Sequence, residues 1–201
     1  MSDSIDKIKI FDDIFSYQKK ESIYETAIGS RYTIGFQDSS ILEHGEKVFI
    51  YSRLDHEQPS IWEEEFLPFI KDIELIKLID GRTPERIIIN CTLHSDIYIP
   101  HTHYESDVFL YYINMEWKQE WWGETQFLSE NVKDVIFTSP YVPGRVIWFD
   151  GILPHTIKTQ SFAGPKYRFS LSVFFEKKRE STHNDLGQPY KKCKVDEVTM
   201  N

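Results

Sequence analysis

The stretch from Pro143 to His155 reads PGRVIWFDGILPH and indicates one short strand between two turns. Proline followed by glycine marks the first turn, and the Asp150-Gly151 pair marks the second. The apolar run between them, residues 146–149, has the length and the side chains of a buried strand. This strand would deliver His155 to the edge of a sheet, just beyond the second turn.

Short runs of the same kind surround this stretch on both sides. They are rich in β-branched and aromatic residues, and polar loops separate them. The runs are Arg86–Asn90, Ile97–His103, Val108–Asn114, Thr125–Leu128, Val135–Thr138, Val146–Phe149, His155–Thr159 and Phe169–Phe175. About eight strands without intervening helices are typical of an antiparallel β-sandwich or barrel. Alternate residues should then point into a core between two sheets. The residues expected there are Phe109, Tyr111, Ile147, Phe149, Leu171 and Val173.

The N-terminal region, up to Asp80, has a mixed pattern. Ile8–Phe11 is strand-like, whereas Ser60–Ile79 places its apolar residues mainly at helical spacing, interrupted by Pro68. We expect this region to supply helices that brace one sheet.

The chain as a whole is predicted to form one domain, since it has 201 residues. Its expected parts are a helical and mixed support region at residues 1–80, a β core at residues 81–176 and a flexible tail at residues 177–201.

Composition and charge limit the cellular locations and the binding partners to be expected for this protein. The net charge is −9, and the tail from Lys177 carries six basic against four acidic residues, which leaves −11 on residues 1–176. With this net negative charge on residues 1–176, we do not expect nucleic acid as a partner, because phosphate binding depends on basic side chains. No apolar run is long enough to cross a membrane, and the N-terminus lacks the pattern of a signal peptide. With only two cysteines, we expect a cytoplasmic protein without a disulfide framework.

A pair of histidines indicates a metal site. On a strand, His101 and His103 would point to the same face, with Cα atoms about 6–7 Å apart. Two imidazoles in this arrangement suit Fe, Cu, Ni or Zn. His155 is a candidate third ligand, and Arg168, further along the chain, could hold a carboxylate through two hydrogen bonds.

These motifs together resemble the iron(II)- and 2-oxoglutarate-dependent oxygenases, particularly the branch that is similar to prolyl 4-hydroxylases. The matching pieces, in order, are His101-Thr102-His103, Tyr111-Tyr112-Ile113-Asn114 with Trp117, Gly123-Glu124-Thr125-Gln126-Phe127, Pro143-Gly144-Arg145 with Phe149 and His155, and Arg168-Phe169-Ser170. The resemblance covers residues 87–176 and implies a double-stranded β-helix, or jelly-roll, fold.

The resemblance also implies an activity and a set of site residues. The activity would be hydroxylation of a C–H bond in a peptide residue or small molecule, with release of succinate and CO2. Fe(II) would bind His101, His103 and His155, and ascorbate could assist as a reductant. Arg168 would anchor the distal carboxylate of 2-oxoglutarate, and Tyr112 would offer its phenol to the same group.

Two departures from the family pattern leave alternatives open. Trp122-Gly123 replaces the usual Gly-Gly, a change expected to cost little in a turn. His103 replaces the usual carboxylate ligand, so the site has three interpretations: three histidines, a shifted pair of His103 and Glu105, or a cupin-like site that includes Asp107. The alternative function is a cupin-like metal-binding protein, or a dioxygenase that does not use 2-oxoglutarate. We expect metal uptake to fall below about pH 6.5, because a histidine ligand must be neutral.

Overall fold

The computed structural model describes residues 5–36, 49–96, 98–103 and 106–177, which contain ten strands in two antiparallel sheets. The larger sheet has the order β1-β8-β5-β10-β4-β3-β2, and the smaller one has the order β7-β6-β9. The strands are β1 (Ile8–Phe11), β2 (Thr33–Phe36), β3 (Phe49–Arg53), β4 (Arg86–Thr92), β5 (Ser106–Tyr112), β6 (Thr125–Leu128), β7 (Val135–Ser139), β8 (Val146–Asp150), β9 (His155–Ile157) and β10 (Arg168–Glu176). This arrangement confirms the mainly β fold class.

Helical segments from the N-terminal region pack on one face of the larger sheet. They are α1 (Tyr17–Gly29), α2 (Leu54–Glu57), a π-helix (Trp62–Phe66), a 3-10 helix (Leu67–Phe69) and α3 (Ile73–Ile79). Ser16 caps α1 by accepting from the backbone N–H of Lys19, and Asp72 caps α3 by accepting from that of Leu75. Buried side chains of these segments, such as Trp62, form one apolar cluster with the outer face of the sheet.

A second apolar cluster lies between the two sheets. It contains Val108, Leu110 and Tyr112 of β5, which meet Phe127 of β6 and Phe149 of β8. Both faces of the larger sheet are therefore covered.

The expected set of inward residues is only partly right. Ile147 and Phe149 lie between the sheets, whereas Phe109, Tyr111, Leu171 and Val173 lie on the helical side. All six are buried. The assignment fails because a strand that is covered on both faces has no polar side to mark which residues point where.

Two further expectations need correction. The strand predicted at Ile97–His103 is reduced, among residues 98–103, to a single bridge between His101 and His155. The helix predicted over Ser60–Ile79 is divided into three helical segments, and Pro68 lies in the 3-10 turn between the outer two. In the described part of the chain, no helix has the length and apolar character needed to span a bilayer.

The N-terminal region also contributes strands, which the sequence pattern does not fully predict. β1 pairs with β8 along its whole length, and β3 pairs with β4. The division of the chain at residue 80 remains a prediction, and the tail beyond residue 177 lies outside the described residues.

Candidate metal centre

Three histidines meet where the segment before β5, which carries two of them, lies against the start of β9. His155 begins β9, and its backbone exchanges two hydrogen bonds of 3.0 Å with that of His101. The backbone N–H of His103 donates to the carbonyl of Gly151, which lies in the turn before β9. The ring centroids are 4.4–5.1 Å apart, and the three possible ligand atoms lie within 4.8 Å of one another. The sheet framework thus brings together all three residues that the sequence analysis proposed as ligands.

Backbone carbonyls orient two of the rings. Nδ1 of His101 lies 3.2 Å from the carbonyl oxygen of Ile99, and Nδ1 of His155 lies 2.9 Å from that of Leu153. Because a carbonyl oxygen can only accept, Nδ1 carries the hydrogen in each ring, and Nε2 keeps the lone pair that a metal needs.

Burial keeps two of the imidazoles, those of His155 and His103, neutral. Burial lowers the pKa of His155 to about 3, the proximity of His101 acts in the same direction, and the Leu153 carbonyl opposes this. Burial also lowers the pKa of His103 well below its ordinary value, with His155 and His101 acting in the same direction. Protons should therefore compete with a metal at these two residues only well below the pH of about 6.5 expected from the sequence.

The metal-free protein should lose stability as the pH falls below about 6.5. The unfolded chain protonates His155 near pH 6.5, whereas the folded chain does so only at about pH 3. Between these values the free energy of unfolding should fall by about 1.4 kcal/mol per pH unit for this group, and His103 steepens the fall. Urea unfolding between pH 7 and pH 5 measures the slope. His155→Gln should reduce it, and an equal slope in both proteins would contradict the prediction.

No carboxylate joins the three histidines within the described residues. Asp107, one of the alternative ligands, lies next to Val108 on β5 but points to the opposite face, where its carboxylate accepts from Arg82 at 2.8 Å. The cupin-like interpretation with Asp107 as a ligand is therefore wrong. The other alternative, Glu105, lies outside the described residues.

A cavity between the sheets begins at the histidines. Its polar wall comes from alternate residues of β4 and β10, whose pleat points them to the same side. These residues are Asn90, Thr92, Ser170 and Ser172. Apolar side chains such as Leu110 and Phe174 lie beside them on the same sheet and complete this side of the lining. The sequence analysis missed Asn90 and Ser172, although polar residues within otherwise apolar strands were an available signal.

Arg168 lies beyond the end of this polar wall, two positions before Ser170 on the same face of β10. Its side chain is fully buried, and Nε donates to the carbonyl of Gly123 at 2.8 Å. The two terminal nitrogens, Nη1 and Nη2, are buried without a hydrogen-bond partner in the described structure. The guanidinium carbon lies 5.3 Å from the ring centre of Tyr112 and 4.8 Å from that of Tyr141. A buried cation with two unused donors is costly, which indicates a place for an anion.

Tyr112 links this arginine to the cavity. Its hydroxyl donates to Oγ1 of Thr125 at 2.7 Å, and Thr125 lines the cavity. Burial raises the pKa of the Tyr112 phenol, although Arg168 opposes the shift. The phenol therefore stays protonated and can act as a hydrogen-bond donor.

Gly151 is a site residue that the sequence analysis treated only as a turn signal. Its N–H donates to the carbonyl of Ser106, and its own carbonyl accepts from His103. A Cβ atom here would overlap with the carbonyl oxygen of His103 and lie 2.5 Å from that of Ser106. Only glycine fits against the segment that carries His103.

Gly151→Ala should therefore weaken metal binding about 10- to 100-fold, as expected for a residue that supports a ligand. The added methyl group must displace the backbone of His103. Mn(II) titration of the folded variant measures the loss. Gly29→Ala is the matched control, because a Cβ atom there meets nothing within 4 Å. Equal affinities in all three proteins would contradict this role.

Replacement of the first glycine of the Gly-Gly pattern by Trp122 strains the backbone of this turn more than expected. Trp122 has φ 60° and ψ −140°, a conformation that side chains other than glycine rarely adopt. Its carbonyl accepts from the indole N–H of Trp117, and its ring lies under Nζ of Lys158 at 4.4 Å. At Gly123, which has φ 82°, a Cβ atom would contact Trp117 at 2.9 Å and Arg168 at 3.3 Å. The second glycine of the pattern therefore lets the backbone lie close to Arg168.

By sequence, the chain matches no protein-family model and no curated protein. Its fold, however, is similar to solved structures. A prolyl hydroxylase from Trichoplax adhaerens, in complex with a peptide fragment of the hypoxia inducible factor oxygen degradation domain, has a TM-score of 0.59 and 15% identity, over 85% of this chain and 83% of that one. A 2OG-Fe(II) oxygenase family oxidoreductase from Burkholderia pseudomallei has a TM-score of 0.57 and 12% identity, over 85% of both chains. HygX from Streptomyces hygroscopicus, with nickel and 2-oxoglutarate bound, has a TM-score of 0.57 and 8% identity, over 86% of this chain and 84% of that one.

Proposed function

We propose that the protein, which has the fold of the 2-oxoglutarate-dependent iron oxygenases, is itself such an enzyme and hydroxylates a C–H bond of a peptide residue or small molecule. The observation that supports this most is the pairing of two features in one interior: a convergent set of three histidines and, beyond the same polar wall, a buried arginine with two unused donors. The proposed setting is the cytoplasm.

The histidines fit Fe(II). They offer three nitrogen donors, and backbone carbonyls orient the rings of His101 and His155. Three ligands leave other coordination positions for the cosubstrate and oxygen. The absence of a protein carboxylate among the described residues leaves the full charge of the metal to be balanced by a bound anion.

Arg168 fits the distal carboxylate of 2-oxoglutarate. The planar guanidinium can donate two parallel hydrogen bonds from Nη1 and Nη2, which have no other partner in the described structure. The backbone carbonyl of Gly123 accepts from Nε and thereby fixes the direction in which Nη1 and Nη2 point. Tyr112 can add a third donor to the same carboxylate when it turns from Thr125.

The protein's contribution is mainly positioning in a dry site. When bound, Fe(II) and 2-oxoglutarate supply the oxidising chemistry, in which O2 is consumed and succinate and CO2 are released. Leu110 and Phe174 exclude water from the cavity, while Asn90 and Ser172 give it a polar side. Because one similar structure contains a peptide, a peptide residue is a reasonable substrate class beside small molecules.

The test of this proposal is release of succinate from 2-oxoglutarate. The purified protein is incubated with Fe(II), ascorbate and O2, with and without a library of peptides and metabolites. Slow release without substrate, increased by at least one library member, is the expected result. Metal uptake without any binding of 2-oxoglutarate would instead support the cupin-like alternative, which the all-histidine site favours and Arg168 does not.

A further inference from the structure

We propose that Arg168 and the metal oppose each other's charge across the cavity, so that a dicarboxylate and the metal bind cooperatively through electrostatics. The inference rests on the proposed function for the identity of the natural dicarboxylate. It concerns what Arg168 does to the metal, beyond its role as an anchor.

In the described structure, the guanidinium of Arg168 is buried without an anion at its two terminal nitrogens. Among the described residues, the cavity lining has no Asp, Glu, Lys or Arg, and no carboxylate joins the histidines. The nearest acidic contact, Asp96, accepts from the hydroxyl of Tyr98 and the N–H of Leu93 and lies outside the lining. Glu124, next to Gly123, is paired with Lys158 at 3.1 Å. A metal dication would thus share this interior with the positive charge of Arg168.

The charge of Arg168 reaches the cavity wall. Burial and Asp96 raise the pKa of Tyr98, which lines the cavity, and Arg168 opposes that shift. The same arginine contacts Tyr112, whose hydroxyl bonds to Thr125 in the cavity lining, so its charge acts on the cavity before any metal enters.

A series of contacts gives the approximate distance between Arg168 and the metal ligands, and this distance sets the size of the repulsion. Arg168 contacts Tyr112, Tyr112 bonds to Thr125, and Phe127, two positions further along β6, pairs with His155. Two steps along a strand span about 6.6 Å, so the guanidinium lies on the order of 10 Å from the imidazoles. Charges of +1 and +2 at that distance, in a medium between protein and water, change affinity by about tenfold to a few hundredfold.

Neutralisation of Arg168 by an anion should therefore strengthen metal binding, and the metal should strengthen anion binding by the same factor. This effect differs from chelation. A chelating ligand must bind the metal itself, whereas a charge effect requires only that a carboxylate occupy Arg168. Succinate is a suitable probe, because it has two carboxylates, as 2-oxoglutarate does, and lacks the 2-oxo group that would chelate the metal.

The first experiment uses the unmodified protein. Mn(II) affinity is measured by calorimetry with and without saturating succinate, at constant ionic strength, with acetate as the monocarboxylate control. We expect succinate to raise Mn(II) affinity at least about tenfold and acetate to raise it much less. Equal Mn(II) affinities with and without succinate would overturn the inference.

The second experiment changes the arginine. Arg168→Met removes the charge but keeps an unbranched side chain, and Arg168→Lys keeps the charge. Without any dicarboxylate, Arg168→Met should bind Mn(II) at least about tenfold more tightly than the parent protein and lose the succinate effect, whereas Arg168→Lys should resemble the parent protein. A metal affinity in Arg168→Met that equals that of the parent would overturn the inference. If this variant does not fold, the succinate experiment still decides.

The two proposals can fail separately. Cooperative binding of Mn(II) and succinate without turnover of 2-oxoglutarate would support the charge effect and remove the proposed activity. Turnover together with Mn(II) affinity that is indifferent to succinate and to Arg168→Met would keep the activity and remove the charge effect.

Discussion

His103→Asp should keep Fe(II) binding, whereas His103→Ala should weaken it by more than about a hundredfold. Asp supplies the carboxylate that the family pattern described in the sequence analysis has at this position, and it reduces the charge of the metal site by one. The alanine variant keeps only His101 and His155, and its loss should exceed the roughly 10- to 100-fold typical of a residue that merely supports a ligand. Titration with Fe(II) under argon, or with Mn(II), measures the three affinities.

Two control variants decide between the remaining interpretations of the site. Glu105→Ala should bind metal like the parent protein, and His101→Ala should lose it, because the ring of His101 lies 4.4 Å from that of His155. Loss of metal in Glu105→Ala but not in His101→Ala would show that His103 and Glu105 form the true pair.

Arg168→Ala should weaken 2-oxoglutarate binding by about 2–5 kcal/mol, or roughly 30- to 5,000-fold. The loss is large because the guanidinium is fully buried, and among the described residues the cavity lining contains no Lys or Arg that could replace it. Displacement of a fluorescent analogue from the Mn(II)-loaded protein measures the affinity.

Arg145→Ala is a suitable control, because it removes an arginine that pairs with Asp12 at the edge of the larger sheet. We expect it to leave 2-oxoglutarate affinity unchanged. Normal affinity in Arg168→Ala would contradict the anchoring role and favour the cupin-like alternative.

Much of the β core can be predicted from the sequence. The predicted run Thr125–Leu128 has the observed bounds of β6, and Val146–Phe149 ends one position before β8 does. Turn dipeptides on either side of a short apolar run define a strand locally, because they act over a short stretch of chain. Motif order also identifies His101, His103, His155 and Arg168 as candidates; the structure brings the three histidines together and buries Arg168 two positions before Ser170, which lines the cavity.

The supporting residues of the site were decided only by the tertiary structure. Gly151 contacts His103, and Gly123 holds Arg168, although the two members of each pair are far apart in the sequence. No local pattern encodes such contacts, because they arise where separate loops meet. The exclusion of Asp107 likewise required the observed pairing with Arg82.

The sequence also did not determine which face of the sheet each core residue occupies. Alternation along a strand identifies its inner face when the other face is exposed to water. In β5, Val108 through Tyr112 are all buried, and they alternate between the helical side and the space between the sheets. The sequence alone determined that these residues form a buried strand. Only the tertiary structure decided that Tyr112 faces the cavity side and Tyr111 the helices. Helices cover one face of the strand and a second sheet covers the other, so both faces carry apolar residues and the sequence pattern does not distinguish them.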